Sequence, residues 1–287
     1  MPELPEVERV RLSLIPYLVG SKVTKAVLHR ADICESFAAT PDGVTAKPTT
    51  THDLLAGDTI QELRRLGKQL AIIAKSGRVV CVHLGMSGQL LWKRPGDEPP
   101  RGHVHAEWSI ETPRGKPLGR VLFRDPRRFG GLWTSDSVAS LELARWSHLG
   151  PDALHVSATQ LRQGFEGSRR AVKAALLDQG MIAGVGNIYA DEALFLAAIK
   201  PTRLASRVKP PESTRLAAAL REVLQRSIAT GGSTLRDYVD ADGNRGKAQD
   251  AHAVYGRGGE PCIRCGRKLR QAQVAQRTTV WCAHCQT

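Results

Sequence analysis

Apolar positions in this chain change period twice. Near the amino end Val7, Val10, Leu14 and Leu18 recur at helical spacing, with Pro5 suited to a first turn and Gly20 to a stop. Residues 22 to 134 then break into short β-type runs, among them Leu70-Ala71-Ile72-Ile73, Val79-Val80-Cys81-Val82-His83-Leu84, His105-Ala106-Glu107-Trp108-Ser109-Ile110 and Val121-Leu122-Phe123. Turn-rich spacers such as Pro95-Gly96-Asp97-Glu98-Pro99-Pro100 separate them, so the pattern predicts a mostly antiparallel sandwich. The stretch from Ala38 to Thr51, rich in Thr, Pro and Ala, reads as an exposed loop. Helical spacing returns beyond Leu141: Ala171 to Leu177, then Ile188 to Ile199 with Asn187 as its cap, then Leu216, Leu220, Val223, Leu224 and Ile228 along one face. The expected fold class is therefore α+β, with a β-sandwich domain at 1–140, a helical domain at 141–252 and a cysteine module at 253–287.

The chain has 287 residues, enough for two buried cores, and its 41 Lys and Arg against 28 Asp and Glu leave a net charge of +13. Such an excess points to a polyanionic partner, while 5% aromatic residues give no sign of a large base-stacking platform. Charge alone does not separate DNA from RNA or an anionic membrane surface. No stretch approaches the roughly 20 apolar residues of a membrane span, and the amino end lacks a basic region followed by an apolar run. These features lead to the expectation of a cytosolic protein with no membrane partner. Of six cysteines, four form two C-x2-C pairs in the last 26 residues, a pattern of metal ligands more than of disulfides.

Those four, Cys262, Cys265, Cys282 and Cys285, can place four thiolates on one zinc ion in a closed tetrahedral site. No coordination position is left for a substrate, so the zinc is expected to be structural and to fold a tail too short for a core of its own. His284 lies between two ligands and reads as a bystander. Arg257, Arg264, Arg267, Lys268, Arg270 and Arg277 surround Glu260 in the same tail, a composition suited to gripping phosphates. At the other end, small second residues such as proline permit loss of the initiator methionine, which would free the secondary amine of Pro2 beside the Glu3 carboxylate. An α-amino group titrates near ~7.7–8.0, so an appreciable fraction is unprotonated at neutral pH and can attack an electrophilic sugar carbon. The positive end of the first helix disfavours protonation of that amine by roughly 0.3–1 kcal/mol. The plainer alternative is that Met-Pro is a permitted start and Pro5 only opens a helix.

Joining the two ends sharpens the picture. The start Pro-Glu-Leu-Pro-Glu-Val-Glu is followed in order by Leu66-Gly67-Lys68, His83-Leu84-Gly85-Met86-Ser87-Gly88, Asp125-Pro126-Arg127-Arg128-Phe129-Gly130 and Gly184-Val185-Gly186-Asn187-Ile188-Tyr189-Ala190. Gly231-Gly232-Ser233-Thr234-Leu235, Val254-Tyr255-Gly256-Arg257 and the four cysteines complete the series. Over essentially its full length the chain resembles the formamidopyrimidine-DNA glycosylases, bacterial enzymes that excise oxidised purines. The resemblance implies a helix-two-turns-helix DNA-binding domain between the sandwich and a zinc-finger hairpin.

It also implies roles. The amine of Pro2 attacks C1′ of an extruded nucleotide and forms a Schiff base, Glu3 acts as general acid and base, and β- and δ-elimination then cut the strand. Lys68 serves a phosphate beside the lesion and proton transfer; Arg277 serves phosphate binding and the later elimination. Extruding a base costs a few kcal/mol of unstacking and leaves a gap. Met86, Arg127 and Phe129 fill it, with Phe129 wedged between bases and Arg127 paired to the orphaned base. His105 and Asn187 are implied phosphate contacts, and Glu6 helps to order the first helix. The implied partner is damaged duplex DNA, bound by a monomer that uses no nucleotide or redox cofactor.

Two departures stand out. Where relatives continue to a glycine-aromatic-aromatic element, this chain reads Asp242-Gly243-Asn244-Arg245-Gly246-Lys247-Ala248-Gln249, in the loop that the resemblance places over the extruded base. The basic run before the second domain's first helix is reduced to Arg169-Arg170 plus Lys173, with Ser168 at an inherited phosphate position. The alternatives are an endonuclease VIII-like enzyme for oxidised pyrimidines and a non-catalytic zinc protein that binds damaged DNA. Leu4, where the pyrimidine enzyme usually has glycine, speaks against the first; intact Pro2, Glu3 and Lys68 speak against the second.

Overall fold

The computed structural model describes residues 2–287. Met1, whose removal is expected from the residue that follows it, lies outside the described residues. The chain forms two compact units, one holding the chain up to His148 together with Gly231–Gly246, the other Leu149–Thr230 with Lys247–Thr287.

The first unit opens with α1 (Leu4–Leu18), which has proline in its first turn and buries Val7, Val10, Leu14 and Leu18. The strands that follow are β1 (Lys22–Leu28), β2 (Cys34–Thr40), β3 (Gly43–Lys47), β4 (Ile60–Leu66), β5 (Gln69–Ala74), β6 (Val79–His83), β7 (Gln89–Lys93), β8 (Val104–Glu111), β9 (Pro117–Arg124) and β10 (Gly131–Ser135). They make a four-stranded sheet in the order β1-β8-β9-β7 and a six-stranded sheet in the order β3-β2-β10-β6-β5-β4. All pairs are antiparallel except β2 with β10. One apolar core takes Leu90, Trp108 and Phe123 from the first sheet, Leu63, Leu70 and Val82 from the second, and the stripe of α1. This is the expected sandwich, sealed by a helix. A short α2 (Val138–Leu141) runs on into a π-helical turn at Glu142–Trp146.

The stretch expected to be a loop differs. Most of it, through Lys47, belongs to the β2–β3 hairpin, paired from Ser36 with Lys47 to Thr40 with Gly43. Phe37, Thr40, Val44 and Thr45 are residues of good strand propensity that suit a largely exposed edge hairpin, and the Thr content that suggests a loop does not oppose one.

The compact units also follow other boundaries than the three expected segments. Residues 231–246 come back to the sandwich, where Trp92 N–H donates to the Ala241 carbonyl at 2.7 Å and Ala241 N–H to Ser13 Oγ at 3.1 Å. The altered loop is well tied. Asp240 accepts from the N–H groups of Asp242 and Asn244, Tyr17 donates to Asp242 at 2.8 Å, and Gly246 N–H donates to Thr234 Oγ1 at 2.8 Å. A Cβ at Gly246 would lie 2.0 Å from the Gly232 carbonyl oxygen, so only glycine fits there.

The second unit contains α3 (Ala158–Phe165), α4 (Val172–Leu177), α5 (Asn187–Leu196), α6 (Pro210–Ala229) and the hairpin of β11 (Arg270–Val274) and β12 (Arg277–Trp281). The Glu192 carboxylate on α5 accepts the backbone N–H groups of Ala253, Val254 and Tyr255, which fixes the approach to the cysteine module. Phe195, Val254, Leu269 and Val280 form a small core with Cys262 and Cys282.

Lys173 is not part of a surface basic run. It lies fully buried on α4, 2.7 Å from the equally buried Asp191 of α5, and donates to the Thr278 carbonyl and to Thr279 Oγ1 of β12. Asp191 in turn accepts the Val280 N–H at 3.1 Å. Burial pushes the Asp191 carboxyl up to about 7 against the pull of Lys173, the sign of a pair held at a desolvation cost. Removing one partner leaves the other uncompensated, so Lys173→Met is expected to destabilise this unit by about 3–5 kcal/mol, and Lys173→Met with Asp191→Leu to recover most of that loss. Urea unfolding of the variants checks this; a single variant as stable as its parent contradicts it.

Candidate active site and nucleic-acid interface

Pro2 and Glu3 precede α1 and are buried, Glu3 being 2% exposed. Glu3 is the N-cap residue of the helix, and Glu6 closes a capping box by accepting the Glu3 N–H at 2.8 Å. The other oxygen of Glu6 accepts the N–H of Ser233 at 2.7 Å. One buried carboxylate thus orders the amino end and the returning 231–246 segment together, a more central place than the supporting part expected of it.

Lys68 sits in the two-residue turn between β4 and β5, where Leu66 pairs with Gln69. Gly67 supplies the left-handed conformation at φ 55°. Helix α1 packs on these two strands. Lys68 is 9% exposed, so it is no ordinary surface lysine. His83, to which neither the sequence pattern nor the family resemblance gives a role, ends β6 opposite Gln69. Its pKa falls to about 4 through burial first and then through the charges of Lys68 and Arg145, so it is neutral at pH 7 and faces a cationic neighbourhood.

Met86, Arg127 and Phe129 come together on two touching turns. A Cβ at Gly85, which has φ 59°, would stand 2.3 Å from the Phe129 carbonyl carbon, so the backbones are in contact. Met86 is 40% and Phe129 55% exposed, and the Arg127 guanidinium lies 5.0 Å from the centre of the Phe129 ring. Apolar side chains held out beside a cation fit an occupant with stacked faces and negative charge.

His105, the implied phosphate contact at the start of β8, is largely withdrawn from solvent. It is 4% exposed, edge-on to Phe123, with Nε2 2.8 Å from the carbonyl oxygen of Asp125. In this structure it braces the turn from inside.

In the second unit Asn187 is the first residue of α5, and Gly186 takes the cap position expected of Asn187. The Asn187 side-chain amide donates to the Thr278 carbonyl at 3.1 Å, beside Arg277. Arg277 is exposed and follows the hairpin turn Ala275-Gln276, whose φ angles of 49° and 58° are left-handed. Of the six basic residues in the tail, two serve the fold. Arg257 pairs with Glu260 and donates to the carbonyls of Ala253 and Pro261, and Arg264 stacks on Phe195 and donates to the last carbonyls of α5. Arg267 lies 2.9 Å from His284 Nδ1, so His284 has a partner though it is no metal ligand. Lys268, Arg270 and Arg277 remain exposed for a polyanion.

The cysteine sulfurs fit zinc. All four lie within 4.8 Å of one another, with Cys262 to Cys285 at 4.0 Å and Cys265 to Cys282 at 3.5 Å. A tetrahedron with Zn–S of about 2.3 Å has edges of about 3.8 Å. Backbone N–H groups of Arg264 and Cys285 point at the sulfurs of Cys262 and Cys282, each at 3.4 Å, as suits thiolates. Two cavities of about 440 and 460 Å³, one beside Arg162 and Pro210 and one beside Leu143 and Trp146, include none of the site residues.

A buried Pro2-Glu3 pair at the head of a helix, exposed Met86 and Phe129 beside Arg127, and a hairpin carrying a four-cysteine zinc site define a class of protein, and comparison with known proteins makes it particular. Residues 1–132 match the family described as formamidopyrimidine-DNA glycosylase N-terminal domain, 149–239 its H2TH domain, and 259–287 the zinc finger found in FPG and IleRS. A formamidopyrimidine-DNA glycosylase of Xanthomonas oryzae pv. oryzae is 43% identical over the whole of both chains. The MutM (Fpg) protein of Thermus thermophilus has a structure similar at TM-score 0.83 and 38% identity, covering 99% of this chain and 98% of that one. A Lactococcus lactis Fpg, solved in complex with DNA containing an abasic site, is similar at TM-score 0.83 and 30% identity over 99% of each chain. The chain belongs to the formamidopyrimidine-DNA glycosylase family.

The expected α+β architecture and the structural zinc site are both present in it. No helix among the described residues is long and apolar enough to cross a membrane.

Proposed function

We propose that this chain excises oxidised purines from duplex DNA, chiefly 8-oxoguanine opposite cytosine and ring-opened formamidopyrimidines, with the nitrogen of Pro2 as nucleophile. As a member of its family it is a DNA glycosylase of base excision repair that acts on damaged DNA, with the AP lyase activity general to that family. The observation that carries the finer reading is the amino end, where Pro2 and Glu3 are buried at the head of α1 and a carboxylate fixes the backbone between them and the helix.

In this scheme the Pro2 nitrogen bonds to C1′ as the bond from C1′ to the base breaks, and the base leaves with the electron pair and takes up a proton. Glu3 then moves the proton from nitrogen to the ring oxygen as the C1′–O4′ bond opens, giving the cationic C1′=N Schiff base. That cation acidifies C2′–H. Loss of this proton expels the 3′ phosphate, and a second elimination expels the 5′ phosphate. Lys68 holds a phosphate beside the lesion and passes protons; Arg277 and Asn187 hold phosphates, and Arg277 assists the later elimination. Met86, Arg127 and Phe129 fill the space the extruded nucleotide leaves. Zinc supplies no reacting group and holds the hairpin that carries Arg277. The protein works as a monomer in the bacterial cytosol, without a nucleotide or redox cofactor.

Single-turnover excision on duplexes carrying 8-oxoguanine or thymine glycol tests the substrate. Faster release of 8-oxoguanine is expected, by about 10-fold or more, since one well-made hydrogen-bonding site readily discriminates by that factor. Preference for thymine glycol supports the endonuclease VIII-like alternative instead, and binding with no incision of an abasic duplex supports the non-catalytic one.

A further inference from the structure

Beneath the exposed trio of Met86, Arg127 and Phe129 lies a carboxylate that the proposed chemistry does not use. Asp125 is 0% exposed. Its Oδ1 accepts the Ser87 hydroxyl at 2.6 Å and the Arg127 N–H at 3.3 Å, and its Oδ2 accepts the Gly130 N–H at 2.7 Å. Ser87 Oγ accepts the Arg127 N–H as well, at 3.2 Å, and the Asp125 carbonyl is the group that His105 braces. The side chain therefore grips the backbone on both sides of Phe129 and joins that turn to the one bearing Met86. Hydrogen bonds to a carboxylate are roughly twice as strong as neutral ones, and burial keeps water from competing for them. Two turns that expose apolar side chains have little packing of their own to hold them, so this bridge decides where those side chains point.

We propose that Asp125 is a positioning residue for strand insertion: it presets Arg127 and Phe129 in their inserting geometry before DNA arrives, so that the cost of ordering them is not met during base extrusion. This inference rests on the wedge role given to those residues in the proposed function. An amide at this position keeps the shape but sets an NH2 group against an N–H or hydroxyl donor, so the bridge loosens while the fold around it persists.

The test is a double-mutant cycle on the full zinc-loaded protein with Asp125→Asn, Phe129→Ala and the two combined. Single-turnover excision of 8-oxoguanine is measured beside the fluorescence of a 2-aminopurine placed next to the lesion, which rises as bases unstack. Asp125→Asn is expected to slow excision by about 10- to 100-fold, the size of a misplacement near 1 Å, and to slow the fluorescence rise in step. Affinity for undamaged duplex and the melting temperature stay close to those of the parent. The loss in the combined variant falls well short of the product of the two single losses, because Asp125 acts partly through Phe129 and, with Phe129 gone, only its hold on Arg127 remains to be lost. Should Asp125→Asn fold poorly, Ser87→Ala removes one donor and is expected to give a smaller loss in the same two readouts. Losses that add in the combined variant, or a fall in melting temperature with an unchanged fluorescence rise, overturn the proposal. If Phe129→Ala itself excises like the parent, the wedge reading falls; if it is slow while Asp125→Asn and Ser87→Ala are not, the assignment of Asp125 alone falls.

Discussion

Protein in which any residue remains ahead of Pro2 will not be trapped on 8-oxoguanine duplex by borohydride, and its excision rate will fall by at least ~100-fold, as expected when the group that starts the chemistry is removed. The reason is valence: a preceding residue turns the proline nitrogen into a tertiary amide with no lone pair to give. An α-amino group ordinarily titrates near ~7.7–8.0, and the positive end of α1 disfavours its protonation, so trapping should slow as pH is lowered and the amine takes a proton. Pro2→Gly keeps an amine and is expected to trap more slowly, since it lacks the ring that fixes the attacking nitrogen. Glu3 stays buried and Glu6 keeps its bond to the Glu3 N–H, so binding of lesion duplex should survive the blockage. Intact mass spectrometry of the trapped complex reports the absence of Met1 and the attachment site at once. Blocked protein that traps and incises like the parent would remove Pro2 from the mechanism.

Stripping zinc, or replacing Cys282 with serine, will abolish tight binding of duplex while the sandwich unit stays folded. The module's own core amounts to Leu269, Val280 and the buried cysteines against Phe195 and Val254, too little to hold a hairpin of two five-residue strands. Structural zinc contributes about 10–16 kcal/mol of apparent binding energy to such folds, more than that core can replace. With the hairpin go Arg270 and Arg277, and with β12 goes the Thr278 carbonyl that holds the Asn187 side chain. For every phosphate no longer neutralised, the log-log salt dependence of binding should flatten by about 0.9. Titrations at several salt concentrations, with zinc measured in the same samples, check this. Zinc-free protein with unchanged affinity and unchanged salt slope would show that the hairpin touches no phosphate.

Much of the fold is legible along the chain because its signals are local. The helical stripe from Val7 to Leu18 and the runs that form β5, β6, β8 and β9 depend on the period of apolar residues, which burial then obeys. The cysteine spacing is local in the same sense, since a C-x2-C turn can meet a metal wherever it lies. The hairpin of β2 and β3 escapes such reading because its composition is that of a loop, and only pairing with β10 gives it a sheet to join. Asn187 reads as a cap where Gly186 has that place, a shift of one residue that helix ends commonly show.

The part of the site that depends on who meets whom is not legible in this way. His83, Ser87, Asp125 and Lys173 all stand in recognisable motifs or runs, yet nothing along the chain says which polar groups are withdrawn from water. His105 and Lys173 resemble surface groups for phosphate, and both are buried in hydrogen-bonded positions. Arg257 and Arg264 count as phosphate-gripping charge by composition, whereas folding ties them to carbonyls and a ring.

The order of residues thus sets the period of each element, the Pro2-Glu3 pair ahead of the first helix, the four cysteine ligands and the excess of positive charge, all of which are properties of neighbours in the chain. Folding in three dimensions selects Glu6 and Asp125 as the carboxylates that act as hubs, turns some cations outward and others in, and returns residues 231–246 to the sandwich. Those outcomes turn on burial and on hydrogen bonds between residues far apart in sequence, and a polar group's role follows from the partners that replace its water.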